Sequence, residues 1–63
     1  MYKVKHLNER GQLVWAKENG KHVEFPKRKQ ARQWCYHRMN GLEDLHIIHP
    51  DGTIEKFVWK HEW

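Results

Sequence analysis

Residues 26–40 are the only stretch in which apolar side chains recur at helical spacing, and that one helix constrains everything else the chain can do. At about 100° per residue, Ala31, Trp34, Cys35 and Met39 fall in one arc, while Arg28, Lys29, Arg32, Gln33, Tyr36 and His37 face away from it. Pro26 can open such a helix and Asn40-Gly41 can stop it. Arg38 stands among the apolar positions, which suits a last turn: its stem covers the core while the guanidinium reaches water and the negative helix end. A helix with one apolar stripe must bury it, and with no second helix to receive it the partner is a sheet.

The flanking segments read as that sheet. Residues 2–7 alternate in the strand manner, 8–11 form a turn and 12–17 a second strand, giving a hairpin. Asn19-Gly20 favours a type I′ turn into residues 22–25, which either pair with the second strand or only link to the helix. Leu42 folds back on the helix and residues 45–49 make a strand. Pro50-Asp51-Gly52-Thr53 turns the chain, and 53–60 close the sheet. The expected fold is α+β in β-β-α-β-β order, one domain over residues 1–63. Its antiparallel sheet has four strands, or five if residues 22–25 pair, with the helix packed on one face.

A domain of 63 residues buries only about 60% of its unfolded surface, so the core is thin, and four tryptophans are hard to hide in it. Ala31, Trp34 and Cys35 are expected to meet Val4, Trp15, Ile47 and Ile54. Ile54 and Phe57 lie three apart, so strict alternation cannot place both inside. A bulge near Glu55-Lys56, or a face made of Ile54 and Val58, would resolve this.

Six histidines and one cysteine raise the question of a metal. On a strand, His46 and His49 point to opposite faces, and Cys35 and His37 are about 200° apart on the helix, so neither pair chelates locally. Cys35 lies on the packed arc, where a thiol is a small core residue rather than a nucleophile. Glu43-Asp44 reads as a solvated loop before a strand, and no nucleophile with its base, glycine-rich phosphate loop or carboxylate pair has a supporting context. No enzyme activity, catalytic residue, metal or other cofactor is expected.

The order of Trp15, Gly20, Phe25, Ala31, Gly41, Leu45, Ile47, Ile48, His49, Asp51-Gly52 and Ile54 resembles a domain-of-unknown-function family of short bacterial and phage proteins, the two-one-eight-eight family. The resemblance spans about residues 15–54, implies the β-β-α-β-β layout and brings no activity with it. Where that pattern has Thr or Ser capping the helix and an acid three residues on, this chain has Lys27 and Gln30.

Charge supplies the functional reading. Residues 21–40 carry a net charge of +5 and the other 43 residues −1, so the positive excess sits on and just before the helix. Lys27, Arg28 and Lys29 place cations where the helix dipole is already positive, each at a cost of about 0.3–1 kcal/mol. A solvated charge run is the bland account; an anion held at this end is the sharper one. Arg32 and Tyr36 continue the same surface, so nucleic acid bound weakly and without sequence preference is the expected partner. The five residues Lys27, Arg28, Lys29, Arg32 and Tyr36 would form its site. The alternative is an interaction or inhibitor module that turns this helix and exposed Trp or Tyr toward an acidic protein. On the first reading, neutralising Arg28, Lys29 and Arg32 should abolish binding while keeping the fold or raising its melting temperature. Trp59 and Trp63 lie on or beyond the last strand, so at least one is expected to be exposed or in a homodimer contact over the open sheet face. A lone cysteine, with no signal segment or apolar span of about 20 residues, points to the cytoplasm and not to a membrane, and the family resemblance implies that the cell is a bacterium or the gene a phage's.

Overall fold

The computed structural model describes residues 1–58. Its elements are β1 (Tyr2–Leu7), β2 (Leu13–Trp15), β3 (Lys17–Glu18), β4 (Lys21–His22), β5 (Glu24–Phe25), α1 (Arg28–Arg38), β6 (Glu43–Ile48) and β7 (Ile54–Lys56). The main sheet has five strands in the order β2-β1-β6-β7, with β5 also on β1, and β3-β4 form a separate two-stranded ribbon. Every pairing is antiparallel, and α1 packs on one face, so the fold is α+β. Among the described residues no helix is long and apolar enough to cross a membrane.

The expected second strand is broken at Ala16. Its buried methyl turns inward, its N–H donates to Val4 O at 2.8 Å, and its carbonyl accepts from Val23 N at 3.1 Å. The chain then runs out through the β3-β4 ribbon, where Asn19 and Gly20 both adopt positive φ (55° and 80°), the geometry of the anticipated type I′ turn. On its return it pairs with β1 instead of β2: Phe25 lies opposite Tyr2 and Glu24 opposite Lys3. Residues 22–25 are thus divided, His22 belonging to the ribbon and Glu24–Phe25 to the main sheet.

Other boundaries shift for local reasons. The helix starts at Arg28, because Lys27 is extended (φ −129°, ψ 146°) and serves as N-cap without a side-chain cap bond. Glu43 and Asp44 are exposed but lie inside β6, correcting the solvated loop. The register with β1 slips between Lys5 and Leu7, and Asp44 at φ 47° marks the bulge. The closing strand spans Ile54–Lys56 within the described residues; its expected continuation to residue 60, with Trp59, falls outside them, as does Trp63.

The core consists of Val4, Ala16, Val23, Ala31, Cys35, Leu45, Ile47 and Phe57, with Tyr2, Phe25, Trp34, Met39 and Leu42 packed around it. Two expected members are absent. Ile54 is 59% exposed, and Trp15, opposite Lys5, lies on the sheet face away from α1. The register accounts for both. Val4 pairs with Ile47 and Ile47 with Glu55, so Glu55 shares the helix-facing side with Phe57 two residues on. Alternation therefore sends Ile54 outward with Lys56, and Val58 is exposed as well. No bulge is needed at Glu55-Lys56, and the face of Ile54 with Val58 is not the buried one.

Two measurements check this core. Phe57→Ala should cost about 3–4 kcal/mol in urea or thermal unfolding, against a change within about 0.5 kcal/mol for Ile54→Thr. Cys35 is fully buried and burial pushes its thiol up to about 12, so it should label with thiol reagents at neutral pH only at the rate of unfolding.

Candidate nucleic-acid interface

The five side chains marked by the sequence lie at the start of α1 and along its 28-32-36 ridge, but their chemistry divides them. Arg28 Nε donates to Glu55 Oε1 at 2.8 Å, and its Nη2 makes a second bond to Oε2. Arg32 Nη1 stands 3.6 Å from the same oxygen, with its guanidinium 5.3 Å from the Phe57 ring centre. His49 Nε2 completes the set by donating to Oε1 at 2.8 Å, with Tyr2 edge-on to the imidazole. Glu55 lies on the helix-facing side, so its carboxylate would be costly there without these partners. Arg28 chiefly holds its carboxyl down to about 2, against the opposing effect of burial and with help from His49. The same hydrogen bond raises Arg28 above the ordinary arginine value.

Glu55 also supplies what the helix lacks. The first turn of α1 contains no acid, and the neighbouring strand brings a carboxylate to Arg28. Charge that the sequence reading counted as repulsive is therefore partly compensated. Neutralising Arg28, Lys29 and Arg32 together would strip Glu55 of two partners, so the expectation of an unchanged or raised melting temperature gives way to one of lost stability.

A second carboxylate clamps the far end. Glu18, on the β3-β4 ribbon, accepts from Trp34 Nε1 at 3.3 Å and from Arg38 Nη2 at 2.8 Å, and Arg38 lies 5.5 Å from the centre of the Trp34 ring. Arg38 covers its apolar neighbour as anticipated, but its charge goes to Glu18. Lys27 and Lys29 differ from these arginines: both are exposed, and no carboxylate among the described residues stands within 4.0 Å of either ammonium. Tyr36 is 39% exposed, its ring tilted against His37 with centroids 5.5 Å apart.

On the opposite side of the sheet lies a group the sequence reading missed. Lys5 Nζ sits 4.4 Å from the centre of the Trp15 ring and Lys3 Nζ 5.5 Å, while His22 stacks on the indole at 5.7 Å and 24°. The alternation of 2–7 was the available signal, since an inward Val4 sends Lys3 and Lys5 outward. Pairing Trp15 with Lys5 then takes the indole to the same side. Comparison with known protein families, curated proteins and solved structures finds no match. The functional reading therefore rests on these side chains alone.

The Glu55 cluster makes acid titration informative. A carboxyl lowered from 4.5 to about 2 stabilises the fold fully above its ordinary value, and that contribution is lost as pH falls through this window. Glu55→Gln should cost roughly 1–2 kcal/mol at pH 7 and flatten the loss of stability between these values, measured by urea unfolding at a series of pH values.

Proposed function

We propose that this protein is a small non-enzymatic binding module that takes nucleic acid weakly and without sequence preference at the basic start of α1. The observation that carries the reading is the division among the cations. Arg28, Arg32 and Arg38 are engaged by Glu55 and Glu18, whereas Lys27 and Lys29 stand exposed at an uncapped helix start with no acid in the first turn. First-turn N–H groups, a positive dipole end and two ammonium groups converge there, the combination that accepts a phosphate. Arg28, still half-exposed beyond its Glu55 pair, and Tyr36 extend the surface along the helix. The two ammonium groups lack the fixed forked geometry that reads base edges and the Arg28 fork is taken by Glu55, so the contacts are to backbone and affinity is set by salt. A cytoplasmic setting, where nucleic acid is abundant, goes with this reading. The resemblance to the two-one-eight-eight family brings no activity to add.

The test uses Lys27→Gln/Lys29→Gln, which leaves Glu55 and its partners in place. Wild type should bind duplex and single-stranded DNA with log affinity falling linearly in log salt. The double variant should lose about 1.4–1.8 from the slope, for two fewer phosphate contacts. Its melting temperature should hold or rise slightly, because the removed charges oppose the dipole. Absence of salt-dependent binding by wild type, together with loss of an acidic protein partner in the variant, would decide for the protein-interaction alternative.

A further inference from the structure

The sheet face turned away from α1 is half-exposed among the described residues, and its centre combines a cation with an aromatic ring. The register lays Trp15, Lys5, His46 and Lys56 in one row across four strands, with Lys3, Ile48 and Ile54 in the next row. Trp15 already stacks on His22, and the flexible Lys5 and Lys3 side chains bring their ammonium groups to 4.4 and 5.5 Å from the ring centre. A shallow groove of about 510 Å³ opens beside the indole, its walls including Met1, Lys3, Glu24 and Ile48. The acids here pair with lysines or lie at the margin: Glu24, in the groove wall, stands 3.8 Å from Lys3, Asp44 stands 4.0 Å from Lys56, and Glu43 lies at the Leu7 end. Lys5 has no carboxylate within 4.0 Å among the described residues.

We infer that this face is a second contact surface, one that takes the bases of single-stranded nucleic acid by stacking on Trp15. The inference rests on the nucleic-acid reading above and adds the strandedness of the ligand. A base entering the groove extends the existing His22-Trp15 stack by one ring, and Lys5, displaced from the indole, moves to the phosphate. Duplex DNA keeps its bases paired and cannot present a ring to a flat sheet, whereas an unpaired strand can lay successive bases along it. Charge argues for this occupant over a second copy of the chain. In a two-fold contact Lys5, central on the face, would approach its own counterpart and lose water without gaining an anion.

Titration of isotopically labelled full-length protein with an oligodeoxythymidine 20-mer, followed by amide and indole N–H spectra, separates the outcomes. Movement of the Trp15 indole and of the Lys3, Lys5 and His46 amides supports the sheet site. Movement confined to residues 27–30 overturns it and leaves the helix reading standing, and no movement at low salt removes both. Shifts on the sheet face that depend on protein concentration without DNA, and are not altered by it, assign the face to self-association and overturn the inference. Trp15→Leu, which keeps apolar bulk, should weaken the 20-mer roughly fivefold to a hundredfold and leave duplex binding nearly unchanged. Lys5→Gln/Lys56→Gln provides a check away from the indole. It should lower single-strand affinity several-fold at low salt, and equal losses for duplex and single strand would overturn the stacking assignment.

Discussion

One carboxylate joins the first turn of the helix to the last described strand. Glu55 points inward from β7 because Arg28, Arg32 and His49 meet it there, and its position is tied to where Phe57 goes. An inward Glu55 puts Phe57 on the same side, where its N–H reaches Leu45 O at 2.9 Å and its ring supports Arg32. In a core whose largest fully buried side chains are Ile47, Val4 and Cys35, there is little apolar area to enforce a register by itself. Side-chain pairs at the margin of the core therefore take on part of the specification that larger domains leave to packing. Glu18 plays the corresponding part at the other end, tying the β3-β4 ribbon to Trp34 and Arg38.

This division also explains how much of the molecule could be read from the chain alone. The helix, the alternating first strand and the Asn19-Gly20 turn carry their own local signals, and they appear where those signals place them. The segment Leu13-Val14-Trp15-Ala16 is apolar at every position, so it has no period from which to choose a face. The choice is made by β1, whose Val4 must face α1, and by the small Ala16, which fits where an indole would not. Ile54 was misjudged for a related reason. Hydrophobicity alone prefers Ile inside and Glu outside, and the bidentate partner that chiefly reverses this preference, Arg28, lies 27 residues away on the helix.

The candidate site was legible in composition and less so in function. The five marked residues gather at the start of α1 and along one ridge of it, with Arg32 turned in toward Phe57 and Glu55, and a count of charges does not say which of them the fold already employs. Arginine's forked geometry suits it to bidentate contact with a carboxylate, and the three helix arginines are the ones engaged, while the lysines beside them stay in water. The basic surface is thus smaller than the sequence suggested and more sharply placed, at Lys27 and Lys29. The sheet face was invisible at that level because its central pair, Lys5 and Trp15, comes from two strands brought together only by register.

The sharing of one edge of β1 by β2 and β5 bears on how such a chain can vary in length. Lys3 is held opposite Glu24 and Lys5 opposite Trp15, so the excursion through residues 16–23 leaves and rejoins the sheet at points fixed about 7 Å apart. What lies between is a closed loop with its tip at Asn19-Gly20, and doubling a loop costs only about 0.6 kcal/mol in closure entropy. Insertions at the tip leave the pairing on either side undisturbed, provided that Glu18 and His22 keep their places beside Trp34 and Trp15. The ribbon is thus a point at which new sequence could be accommodated over evolutionary time, or a foreign peptide displayed, without resetting the sheet.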